Sequence, residues 1–238
     1  MSWHNGPMAA FDTETTGTDP TTARIVTACV ARVAPRRPLE TRSWMADPGV
    51  PIPPEATEVH GITDAQVRAE GADPAAVADQ VADELVSVWA AGRPVVTMNF
   101  AYDGTVLEHE LHRHGLASLR ERLDDTPMLV IDPLVIDRAL DRYRRGKKRL
   151  VDLCAVYGLE LEGAHDACVD AIVTARVAWK MAERFPDELQ RDLVELQAQQ
   201  ASWHVQWAEH FEPWMRANVD PDAVIERDWP LRASPPGR

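Results

Sequence analysis

The chain has 238 residues, 45% hydrophobic and 26% charged, with a formal net charge of −13. That composition fits a globular protein of one substantial domain plus an extension. No apolar run approaches the roughly 20 residues of a membrane-spanning helix, so no membrane partner is expected. The acidic balance argues against nonspecific gripping of duplex phosphates, although a local basic patch or bound cations can reverse it. Cys29, Cys154 and Cys168 lie far apart with no CxxC pair. They predict reduced thiols and a cytoplasmic setting, without a disulfide scaffold or a thiolate zinc site. The opening MSWHNGPMAA lacks a basic stretch followed by a hydrophobic one, so no signal peptide is expected.

In chain order, residues 8–12, 25–34 and 41–46 read as strands, with Gly17, Asp19 and Pro20 marking the first turn. Such short links favour an antiparallel meander. A helix is predicted over 74–91 from the spacing of Val77, Val81, Leu85 and Val88. A buried strand follows at 95–99, a helix at 102–114 ended by Gly115, and a fifth strand at 128–132. Helices are expected at 133–145, 149–157 and 167–184, giving a mixed sheet flanked by helices. Beyond Pro186, Leu189, Leu193, Leu196, Trp203, Trp207, Phe211 and Trp214 form a long helical stripe, with Pro213 a point of bending. Such a stripe more often packs a core than binds a ligand, and covering the main domain and homodimerising are both open to it. The closing RASPPGR reads as disordered. Residues 1–185 are therefore expected to form the main domain and 186–238 a helical, Trp-rich extension.

Three short segments carry acids in informative places. In FDTETTG, residues 11–17, Asp12 and Glu14 sit two apart on a strand and so share a face. Like charges at that distance repel unless a cation compensates them. A solvated strand end or a phosphatase-type DxDxT motif would also place acids here, although Glu14 stands where that motif has Asp. In NFAYD, residues 99–103, Asp103 opens a helix, as an ordinary N-terminal acid would. In HDACVD, residues 165–170, His165 precedes a helix that carries Asp170 among apolar neighbours. Taken singly, each has an unremarkable explanation.

Together, FDTETTG, NFAYD and HDACVD resemble, in order and spacing, the three motifs of the DnaQ-like (DEDD) 3′→5′ exonucleases, over roughly residues 8–184. VHGIT, residues 59–63, resembles a further element between the first two. Met98 and Tyr102 depart from the commoner His and Phe of the second motif. Histidine at 165, and no tyrosine at 166, place the resemblance with the histidine (DEDDh) branch. Asp166 and Asp170 are one helical turn apart, so both reach the same face, and the family spacing selects Asp170.

The resemblance implies a ribonuclease H-like fold, a mixed five-stranded sheet flanked by helices, here with a C-terminal helical extension. It implies Asp12, Glu14, Asp103 and Asp170 as ligands of two Mg²⁺ or Mn²⁺ ions, a choice that the hard oxygen donors suit. His165 is the implied general base, a role that an imidazole can serve near neutral pH. The implied contacts to the 3′-terminal nucleotide are Thr15, Thr16, Gly17, His60, Asn99 and Phe100; a core role for Phe100 is equally open. The implied activity releases 5′-monophosphates from the 3′ end of a single-stranded nucleic acid, DNA before RNA. The alternatives are an RNA-trimming exoribonuclease and a weakly active accessory subunit. A DNA polymerase or repair partner would make the chain a proofreading component. The run RALDRYRRGKKR, residues 138–149, gathers Arg138, Arg142, Arg144, Arg145, Lys147, Lys148 and Arg149. It is a solvated helix end or a contact to a nucleic-acid backbone.

Overall fold

The run Met8–Thr15 (β1) is buried along nearly its whole length on both faces, as a central strand must be. It pairs antiparallel with Ile25–Val33 (β2), which pairs antiparallel with Glu40–Met45 (β3). Short turns permit only that arrangement. On its other side β1 pairs in parallel with Val95–Val96 (β4), which pairs in parallel with Val130–Ile131 (β5). The sheet order is β3-β2-β1-β4-β5, the expected mixed five-stranded sheet. These coordinates form a computed structural model that describes residues 2–232. Only Arg232 of the closing RASPPGR is among the described residues; the other six lie outside them.

The helices are Pro54–His60 (α1), Asp64–Glu70 (α2), Pro74–Ala90 (α3), Phe100–Arg113 (α4), Leu119–Leu123 (α5), Pro133–Leu140 (α6), Leu150–Tyr157 (α7), Ala167–Arg184 (α8), Pro186–Leu189 (α9) and Leu193–Asn218 (α10). The alternation of β1 divides the core. Ala9 and Phe11 join Val30, Leu85, Trp89 and Leu107 on the side of α3 and α4. Met8 and Ala10 join Val96, Ile131, Ile136 and Met181 on the side of α8. Asp12 and Glu14 continue the α8-facing row, and Thr13 continues the α4-facing one.

Four features differ from the sequence expectations. Helices α1, α2 and α5 are short and rest on local caps, such as the Thr63 and Ser118 capping boxes, rather than on a long apolar period. Helix α6 stops at Leu140, not 145. Asp137 is fully buried, and the following loop folds back so that Arg144 and Lys148 reach it at 2.9 and 2.5 Å. The stripe beyond Pro186 is two helices, because Asp192 caps a new start by accepting from Val194 and Glu195 N–H groups. The chain passes Pro213 without leaving the helix.

The fourth difference corrects the cysteine expectation. Cys29 and Cys168 form a disulfide across a separation of 139 residues, with Cα atoms 5.1 Å apart. Cys29 is paired with Asp12 across β1 and β2, and Cys168 lies in the first turn of α8, which packs on both strands. The proximity belongs to the packing and has no signature in sequence spacing. Cys154 remains a buried free thiol.

Candidate active site

The C-terminal half of β1 presents Asp12 and Glu14 toward the start of α8, which supplies Asp170. Glu14 is 8% exposed, Asp103 4% and Asp170 9%, so these acids face inward. Thr13, on the opposite row, donates from its N–H at 3.1 Å and its hydroxyl at 2.6 Å to Asp103 Oδ1. One strand therefore places two acids on one face and orients a third from the other.

One oxygen of Glu14, one of Asp170 and a ring nitrogen of His165 lie within 4.8 Å of one another. His165 is exposed and has a left-handed backbone, φ 70°. Its N–H donates to Asp170 Oδ2 at 3.1 Å, which ties the loop to the helix that follows. Asp166, the other acid considered at this end, is exposed, and its Oδ1 accepts from Cys168 and Val169 N–H groups as the N-cap of α8. Asp170 is the acid of the pair that turns inward.

The electrostatics are unfavourable for bare carboxylates. Burial, then repulsion from Asp103, Glu14 and Asp170, holds the Asp12 carboxyl well above the usual carboxylate range. Burial and the Asp170 charge push Glu14 up to about 8. Burial pushes Asp103 up to about 7, although its bonds from Thr13 pull the other way. Asp170 is also raised, mainly by burial. Its Oδ1 is buried with no hydrogen-bond partner. An unpartnered buried carboxylate oxygen, within a cluster of all-oxygen donors beside a histidine, fits a hard divalent cation.

The implied nucleotide contacts surround this cluster unevenly. The hydroxyls of Thr15 and Tyr102 both reach the Gly17 carbonyl, the former at 2.9 Å, so the tyrosine that replaces the common Phe braces the loop after Glu14. Thr16 is held by Arg24 through two bonds of 3.0 and 2.9 Å. Space is open above Gly17. His60, at the end of α1, lies near Thr15 and His165. Its Nδ1 accepts from Ile62 N–H, and its Nε2 is buried without a partner. Asn99 holds a left-handed conformation, φ 71°, at the start of α4.

Phe100 is a correction. It is fully buried and packs edge-on to Trp89 with ring centroids 6.2 Å apart, so it offers no face to a base. The same packing explains Gly104, where a Cβ would meet Phe100 Cε1 at 2.5 Å and Leu231 Cδ2 at 2.8 Å.

Asp132 supports the site without belonging to any of the motifs. This fully buried acid caps α6 and accepts from the N–H groups of Asn99 and Phe100, each at 3.0 Å. It fixes the helix start that carries Asp103. Its signal was an acid at a strand end directly before a proline, the pattern of an N-cap followed by Pro at N1.

A family model, RNase_T, described as Exonuclease, matches residues 9–178. The chain is 26% identical over 184 residues to a PolC-type DNA polymerase III of Halalkalibacterium halodurans, covering 77% of this chain and 12% of that protein. It is 28% identical over 171 residues to the same type of polymerase from Listeria welshimeri, covering 72% of this chain and 11% of that protein. The chain thus spans only about a tenth of the length of these relatives. Its fold resembles E. coli exonuclease I in complex with a dT13 oligonucleotide, with TM-score 0.64 and 22% identity over 76% of this chain and 42% of that one. It also resembles the exonuclease I of Methylocaldum szegediense, with TM-score 0.63 and 25% identity over 76% and 41%.

Proposed function

Because the chain belongs to the exonuclease family of DnaQ-like, ribonuclease H-fold proteins, we propose that it hydrolyses the 3′-terminal phosphodiester of single-stranded DNA, releasing nucleoside 5′-monophosphates. The observation that carries this reading is the convergence of Asp12, Glu14, Asp103 and Asp170 beside His165, where burial and then the charges of neighbouring cluster acids raise the proton affinity of Asp12 and Glu14. The oligonucleotide in the exonuclease I complex supports the choice of substrate by likeness of fold. The PolC relatives support association with a polymerase, and hence proofreading, as a setting.

Asp12, Glu14, Asp103 and Asp170 would hold two Mg²⁺ or Mn²⁺ ions. When bound, such ions lower the pKa of water and offset the charge that develops on the displaced 3′ oxygen. Thr13 fixes the rotamer of Asp103, so that acid is positioned before substrate arrives. His165 takes the proton of the attacking water at its ring nitrogen, with its loop anchored by the bond to Asp170. The braced Thr15–Gly17 loop and His60 receive the terminal nucleotide, with open space at Gly17 for its close approach. Phe100 is buried against Trp89 and does not stack on a base. We assign catalysis to residues 1–185 and treat 186–238 as an extension beyond the family match.

The test is digestion of 5′-labelled single-stranded DNA and RNA with Mg²⁺ or Mn²⁺, comparing wild type with Asp12→Ala and His165→Ala. A stepwise ladder on DNA, abolished by Asp12→Ala and slowed by roughly 10²–10⁴-fold by His165→Ala, is expected. A ladder undiminished in Asp12→Ala would overturn the site. Degradation of RNA alone would transfer the reading to an exoribonuclease, and no ladder on any substrate would favour an accessory subunit.

A further inference from the structure

Two features that catalysis does not absorb, the basic run at 138–149 and the aromatic stripe of α10, meet in one groove of about 790 Å³. Arg138, Arg142, Lys147 and Lys148 line one side, and Trp207, Phe211 and Trp214 line the other. Among the described residues no carboxylate lines the groove, although the chain carries 38 acids against 25 Lys and Arg. The cations are not equivalent. Lys148 is paired with the buried Asp137 at 2.5 Å, and Arg138 lies over the Trp207 ring at 3.6 Å. Arg142 and Lys147 are exposed and have no carboxylate partner among the described residues.

The aromatic side is a continuous row. Trp207 and Phe211 stack with centroids 5.1 Å apart at 20°, and Phe211 and Trp214 stack at 5.6 Å and 15°. Trp214 ends the row and is 52% exposed. The buried face of α10 is a different one, carrying Leu196, Gln200, His204 and Ala208. Phe211 and Trp214 lie off that face, whereas Trp207 also packs on α6 through Arg138.

We propose that this groove binds single-stranded DNA, with unpaired bases stacking on the row that Trp214 ends and phosphates meeting Arg142 and Lys147. Aromatic faces combined with unpaired cations are the chemistry that single strands require, and duplexes hide the base faces. The proposal rests on the exonuclease reading only for the strand's destination. Asp132 links the two regions: it caps α6, whose last turn carries Arg138, and holds the start of α4, which carries Asp103.

Binding of fluorescein-labelled dT20, followed by anisotropy in EDTA, tests the groove without cleavage. Trp214→Ala should weaken binding by roughly tenfold, and Trp214→Phe should restore most of it. Arg142→Glu with Lys147→Glu should reduce the slope of log affinity against log salt by about 1.4, at about 0.7 per phosphate contact. A duplex of the same length should bind more weakly. Unchanged affinity and slope in both variants would overturn the proposal, as would a duplex that binds as tightly as dT20. A dimer in sedimentation that Trp214→Ala dissociates, with dT20 affinity unchanged, would make the groove a contact between two copies of the chain and likewise overturn it. Circular dichroism melting confirms folding, and the charge variant, altered only at exposed unpaired residues, carries the test if Trp214→Ala does not fold. Groove binding without Mg²⁺-dependent cleavage would count against the catalytic reading alone; cleavage with no effect of either variant would count against the groove alone.

Discussion

Asp12, Glu14 and Asp103 hold protons more tightly in the folded chain than in an unfolded one, Glu14 up to about 8 and Asp103 up to about 7. Between the usual carboxylate range and those values the native state binds more protons than the unfolded state, so stability falls as pH rises through that window. In EDTA the melting temperature should therefore decline from about pH 5 to about pH 8, and Mg²⁺ or Mn²⁺ should raise it more at the upper end. A melting temperature flat with pH in EDTA would contradict the buried cluster. Thr13→Val removes the 2.6 Å hydroxyl bond to Asp103 while keeping the N–H bond. Because those bonds lower the proton affinity of Asp103, their partial loss should move the acid limb of a kcat/KM profile to higher pH. The rate at neutral pH should drop roughly tenfold, the scale of one hydrogen bond to a charged group. An unshifted limb would show that Asp103 is held by other means.

At the scale of elements, α10 does more than cover a surface. Gln200 Oε1 accepts from Asp132 N–H and its Nε2 donates to the Val130 carbonyl, each at 2.8 Å, while Gln197 Oε1 accepts from Val130 N–H at 2.8 Å. Two glutamines thus complete the open edge of β5, which would otherwise bury unpaired backbone groups. Gln200→Leu keeps the side chain's bulk but strands two buried polar groups, and should cost about 2–4 kcal/mol in urea unfolding. A loss below about 0.5 kcal/mol would show that this edge tolerates the change. The heptad-like spacing of Leu189, Leu193 and Leu196 was visible in sequence, but a buried glutamine breaks the apolar pattern and reads as a surface position. Its role exists only because the strand edge lies beside it.

Across the whole molecule, the Cys29–Cys168 disulfide joins the strand opposite Asp12 to the first turn of the helix that carries Asp170. Closing so long a loop restricts the unfolded chain, and its loss typically costs about 2–5 kcal/mol. Melting with and without dithiothreitol should show that drop in wild type and no further drop in Cys168→Ser. Equal melting temperatures for wild type in both conditions would refute the stabilising role.

Periodicity and turn residues were sufficient for the strands and for a mixed sheet flanked by helices, while the ribonuclease H-like fold followed from the motif resemblance and the strand order from the structure. The candidate acids stood out only through the motif resemblance: taken singly, the strand-end pair Asp12 and Glu14, the helix-start Asp103 and the helical Asp170 each have an ordinary explanation. Burial of Phe100, the grip of Asp132 on the N–H groups of Asn99 and Phe100, the disulfide, and the shared groove of Arg142 and Trp214 came only from the tertiary structure. Each depends on a contact between segments far apart in the chain, where local sequence carries no record of the partner. The sequence by itself determined which chemistry the strand end could hold; the packing of α4, α6, α8 and α10 around it decided which residues reach that chemistry and which serve to support them.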